Sequence, residues 1–97
     1  MSAESPTQFI IHGVTLDGQR FRPSDWAERL AGVLSPFRPS SAQASYLTYS
    51  PYAMPVVIEG VRCVAVDSRL RQLSPLAWQF ACDFAQDNRL QTTGDPG

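Results

Sequence analysis

Residues 56–67, VVIEGVRCVAVD, constrain this chain more than any other stretch. Two runs rich in β-branched residues flank Glu59-Gly60, and such runs favour extended backbone. A two-residue turn there makes them an antiparallel hairpin. The pairing parity then follows, because side chains alternate faces along a strand. Ile58 faces Val61 and Val56 faces Cys63, with Ala65 on that side. Val57, Arg62, Val64 and Val66 take the other side. Both faces are largely apolar, so this is expected to be the most buried hairpin of the sheet. The alternative, a phosphate cradle around Gly60, fails on chemistry. A dinucleotide loop needs three glycines between a strand and a helix, and a P-loop needs a lysine. Gly60 stands alone, and the chain has no lysine.

The remaining elements are read around that hairpin. FIIHGVT (9–15) predicts a strand, and Asp17-Gly18 a two-residue turn that returns through Arg20–Arg22. That turn sets Thr15 opposite Arg20 and Val14 opposite Phe21, which leaves Phe9 and Ile11 on the wet face. A bulge at Gly13 would restore them to the core side; the alternative is that both faces of this strand are covered. Ser24 or Asp25 can cap a helix whose inner stripe is Trp26, Leu30, Val33 and Leu34. Asp25 and Arg29 can pair one helical turn apart. Residues 36–45 read as a loop, 46–49 as an edge strand, and 67–73 as a loop. Ser74-Pro75 signals a second helix start. Its stripe is Leu76, Ala77, Phe80, Ala81 and Phe84. Trp78, Cys82 and Ala85 widen this arc beyond what a sheet alone must cover. Asn88 ends the helix.

The fold class expected is α+β: a two-layer sandwich in ββαββα order. About four mostly antiparallel strands would carry two helices on one face. The domain spans 8–90, with 1–7 and 91–97 as tails. A chain of 97 residues supports one such domain.

Composition limits the function classes. The net charge of −1 and pI near 5.6 lack the basic excess of a general nucleic-acid binder. No run approaches the ~20 apolar residues of a membrane span, and the first residues lack a secretory leader pattern. A cytoplasmic location is therefore expected, with Cys63 and Cys82 as free thiols. Two cysteines and a single histidine are too few for a structural zinc site without carboxylate help. No cofactor motif is present.

Three groups of residues could carry function. His12 could act as a base for Cys63 or Cys82, although no spacing shows that they meet. Asp83 and Asp87 repel one another near a helix C-terminus, which usually marks a solvated face. The best binding constellation is Arg20, Arg22 and Arg38 with Tyr46, Tyr49 and Tyr52. Arginine and aromatic residues dominate protein interfaces. The function expected is a small non-enzymatic binding or regulatory module that engages a protein partner, a second copy of itself, or both. One alternative is single-stranded RNA binding through the same tyrosines and arginines. The other is a small enzyme using His12 with a cysteine.

Three blocks, FRPSDWAERL (21–30), YSPYAMPVVIEGVRCVAVD (49–67) and FACDFAQDN (80–88), carry a resemblance. The chain resembles a family of short, uncharacterised bacterial proteins, a domain of unknown function, over about residues 9–90. The resemblance implies a lineage and assigns no role to any residue.

Overall fold

The computed structural model describes residues 8–37, 49–50 and 52–94. Strand β1 is Gln8–Thr15, helix α1 Trp26–Leu34, strand β2 Ala53–Ile58 and strand β3 Val61–Asp67. A short helix α2, Arg69–Leu73, leads into α3, Pro75–Asp87, and then strand β4, Leu90–Thr93. The four strands form one antiparallel sheet in the order β2-β3-β1-β4. The fold is α+β.

The central hairpin follows the sequence reading. Glu59 (φ 51°) and Gly60 (φ 79°) are both left-handed, as a two-residue hairpin turn of this type requires. Ile58 pairs with Val61 and Val56 with Cys63. Its burial is uneven, however. Strand β3 lies inside the sheet and β2 at its edge, so Val57 is 65% exposed while Val64 and Val66 are sealed. Pro55 in β2 suits an edge position, because proline cannot donate to a further strand.

The first turn differs from expectation in length. Only Gly18 (φ 91°) is left-handed, Thr15 N donates to Gln19 O at 2.8 Å, and the bridge joins Val14 to Arg20. The loop therefore holds three residues, with glycine at its last position. The Thr15 side chain explains it: its hydroxyl donates to Asp17 Oδ1 and accepts from Gln19 N. One extra loop residue flips the parity. Phe21 N bonds Gly13 O at 3.0 Å, and Phe9, Ile11, Gly13 and Phe21 share the core side. A bulge is not needed to bury Phe9 and Ile11. The pairing of β1 with β4 does shift register between Ile11 and Thr15.

Residues 20–22 make only that bridge and are not a sheet strand. The fourth strand is β4, in a segment read from sequence as tail. The element order is thus β-α-β-β-α-α-β. Residues 69–73, read as loop, form α2, which anchors the completely buried Leu70. The edge strand expected at 46–49 lies mostly outside the described residues; Tyr49 itself is not in a strand.

Both longer helices pack on one face of the sheet. Phe9 pairs with Val66, Ile11 with Val64 and Ala53 with Val66, so these side chains point the same way. They form one core with Trp26, Leu30 and Leu34 of α1 and Ala77, Trp78, Ala81 and Ala85 of α3. Helix α3 starts as its sequence demands, with Ser74 Oγ accepting from Ala77 N and Pro75 in the first turn. Asn88 caps its end. Asp25 makes no side-chain cap for α1; its carboxylate takes Arg29 Nε at 3.0 Å instead.

Candidate binding site

The three-residue loop brings Arg20 and Arg22 to the end of the sheet where the β2–β3 turn lies. There they line a hollow of about 140 Å³ with Gly13, Phe21, Ser24, Trp26, Gly60 and Arg62. Among the described residues, no carboxylate lines it. Among the described residues, Arg20 and Arg22 make no ion pair. Arg62 points to the helix side of β3, as the parity argument requires, and pairs with Glu28 of α1. That carboxylate is half satisfied: Oε2 accepts from Arg62 Nη1, whereas Oε1 is buried with no hydrogen-bond partner among the described residues. A guanidinium without an ion-pair partner favours a bidentate acid, the geometry an arginine fork matches best.

Glycine at position 13 makes this arrangement fit. A Cβ there would lie 2.6 Å from Arg62 O and 2.8 Å from Trp26 Nε1. The indole therefore rests directly on the β1 backbone and forms one wall of the hollow.

The same indole opens a second space. A cleft of about 220 Å³ runs between α1 and α3, lined by Phe21, Pro23, Trp26, Leu30, Val33 and Phe84, with Arg29 and Phe80 also contributing. Trp26 stacks on Phe84 at 5.8 Å, and Phe21 meets both rings edge-on. Phe21 and Trp26 line cleft and hollow alike, so the apolar trough and the basic pocket adjoin across these two rings. Val33 (56% exposed) and Phe80 (44%) lie on this trough; the sequence reading had placed both on inner stripes. Trp78 and Ala85, which widen the apolar arc of α3, lie in the core instead. Leu76, also assigned to that stripe, is 83% exposed.

The predicted tyrosine–arginine group is divided. Tyr52 lies at the opposite end of β2, its carbonyl accepting from Asp67 N and its ring under Arg69 at 5.2 Å. Six residues of strand, ~20 Å, separate the two ends. Tyr49 is half-buried next to Ser50, whose hydroxyl donates to Phe37 O. Arg38 and Tyr46 lie outside the described residues. Arg69 also holds the Asp67 carboxyl below its ordinary range through a side-chain hydrogen bond.

His12 and Cys63 do meet. They are cross-strand partners on the sheet face away from the helices, with Sγ 3.6 Å from Nδ1. His12 Nε2 lies 2.6 Å from Thr93 Oγ1. The thiol is completely buried, and burial pushes its pKa up. A nucleophilic cysteine needs the opposite, an accessible thiolate. Cys82 lies elsewhere, on a hollow between α3 and β4, and its thiol is also raised by burial. Asp83 accepts from Gln79 Nε2, and among the described residues no three metal-ligating side chains cluster.

Sequence reasoning missed Arg62, Glu28 and the Trp26–Phe84 stack as site residues. The signal available was Arg62 itself, a charge set inside an apolar run.

Comparison with known proteins adds the following. A family model described as a protein of unknown function, DUF3579, matches residues 5–95. A solution structure described as the first structural representative of its protein family is 37% identical to this chain. The match covers all of this chain and 88% of the other, with a TM-score of 0.77. No curated protein matches.

Proposed function

The chain belongs to DUF3579, a family of unknown function, and from its geometry we propose a non-enzymatic module that binds a protein partner through the trough and its basic end. The partner offers an apolar side chain to the cleft between α1 and α3 and a carboxylate to Arg20 and Arg22. The observation that carries this reading is an aromatic-lined cleft that shares the Phe21 and Trp26 walls with an arginine-lined hollow, which among the described residues no acid lines. Apolar anchors beside arginine are the arrangement that concentrates binding energy at interfaces.

Single-stranded RNA is less well served. Bases need exposed aromatic faces to stack on. Trp26 is only 3% exposed, and one face of the Tyr52 ring is occupied by Arg69.

The test is fluorescence anisotropy with a labelled peptide bearing a leucine and a phenylalanine followed by three aspartates. The native protein binds it, and Arg20→Ala with Arg22→Ala weakens binding at least tenfold, about 1.4 kcal/mol. Equal binding of the same peptide with asparagines in place of the aspartates would refute the reading. So would preferential, salt-sensitive binding of a single-stranded oligoribonucleotide.

A further inference from the structure

We propose that β4 is a docking edge for a second copy of this chain, and that two β4 strands pair antiparallel about a two-fold axis at Gln91. The inference stands apart from the trough and needs no ligand there.

The two edges of the sheet are not equivalent. Among the described residues, β2 and β4 each have one neighbouring strand. Along an antiparallel strand, successive residues turn their N–H and C=O groups toward the neighbour and then away from it. On β2, Asp67 N donates to Tyr52 O, which makes Ala53 and Val66 a non-hydrogen-bonded pair. Ala53 and Pro55 therefore turn their backbone groups outward. Ala53 N already donates to Ser50 O, and proline has no N–H to offer. A proline at an outward position blunts that edge against further pairing.

The β4 edge has no such guard. Leu16 N donates to Arg89 O at 2.8 Å, which makes Thr15 and Leu90 a non-hydrogen-bonded pair. The nearby register shift lies in β1, which runs from Ile11 to Thr15 while β4 runs only from Thr92 to Leu90. The alternation along β4 is therefore unbroken, and Leu90 and Thr92 present N–H and C=O to the open edge. LQTT holds no proline and no charge. Helix α3 does not overhang the edge either. A hollow of about 360 Å³ lies between α3 and β4, with Phe9, Leu90 and Thr92 among its lining. A further strand can lie beside β4 without meeting the helix.

The symmetry of the strand selects its occupant. An axis at Gln91 sets Leu90 of each copy opposite Thr92 of the other. These are the residues whose backbone groups face outward, so the copies satisfy one another. No other two-fold register pairs both of them within the strand. A two-fold axis also sets a strand against itself, and any charge on it would meet its like. LQTT carries none. The axis stands perpendicular to the sheet, so the pair forms one continuous sheet with all helices on the same side. Two copies of the trough then share one assembly, and a partner with two matching segments binds with raised effective concentration.

Sedimentation equilibrium and cysteine cross-linking test this. The native protein is expected to approach twice its chain mass of 10.7 kDa as concentration rises. A single-chain mass up to about 1 mM overturns the proposal. Thr92→Pro removes an outward N–H and leaves the bonds to β1, so it should weaken association at least tenfold with the amide spectrum otherwise native. Unchanged association of Thr92→Pro places the contact elsewhere and overturns it. Should that variant not fold, the cross-link decides. In a Cys82→Ser background, Gln91→Cys meets its own copy at a non-hydrogen-bonded position, ~4.5 Å between Cα atoms and within disulfide reach. Thr93→Cys is displaced from its copy by four residues, ~13 Å along the strand, and is not. Under oxidised glutathione, Gln91→Cys should form linked dimer at least tenfold faster than Thr93→Cys. Equal rates overturn the proposal, because collision alone would then explain the link.

Discussion

Gly13 is the residue on which the site most depends. Its missing side chain lets the Trp26 indole and the Arg62 carbonyl approach the β1 backbone from the helix side. Gly13→Ala places a methyl group inside contact distance of both, and neither neighbour is a flexible chain end. The expected cost is about 1–3 kcal/mol, as for other overpacked cores, read as a lowered urea midpoint at unchanged slope. The two cysteines make a second prediction at this scale. Cys63 is sealed and Cys82 half-buried, with both thiols raised by burial. Iodoacetamide at pH 8 should label Cys82 slowly in the native protein and Cys63 only as fast as the chain opens. Rapid native labelling of Cys63 would restore the His12–Cys63 pair as a nucleophile. Residue identity alone could not place these groups. His12 and Cys63 are 51 positions apart, and only the register of β1 on β3 makes them neighbours.

At the scale of elements, legibility tracked how local the deciding interaction was. The β2–β3 hairpin and the start of α3 depend on adjacent residues, Glu59-Gly60 and Ser74-Pro75, and both were readable. The first turn depends on Thr15, whose hydroxyl bridges Asp17 and Gln19. A dipeptide signal at Asp17-Gly18 cannot reveal that, so the loop was read one residue too short. Strand β4 was unreadable for a different reason. LQTT carries one buried residue, Leu90, and three exposed ones, so its pattern is that of a tail. It becomes a strand only because β1 offers it an edge. The turn that was readable is also improvable. Asparagine adopts left-handed backbone more readily than glutamate, and Glu59 has φ 51°. Glu59→Asn should therefore stabilise the protein by about 0.5 kcal/mol or more, measured as a raised melting temperature.

For the whole molecule, the layering decides where function can reside. With both helices on one face, the core fills the space between layers, and the described residues leave openings where the layers end. At one such end, Gly13, Gly60 and the three-residue loop shape the hollow that Arg20 and Arg22 line. At the other, Tyr52 is engaged by Arg69 and Asp67. The sequence pointed to arginines and aromatics as the recognition chemistry. It could not say that Phe84 packs on Phe21 and Trp26, the aromatics nearest Arg20 and Arg22, because Phe84 comes from a distant part of the chain. Amide chemical-shift mapping of the ¹⁵N-labelled protein, titrated with the leucine–phenylalanine–triaspartate peptide, tests this placement most directly. The account predicts the largest shifts at Gly13, Gly60, Arg62 and the Trp26 indole N–H. Shifts confined to Ile10, Met54 and Ala65 on the opposite sheet face, or to the Tyr52 end, would contradict it.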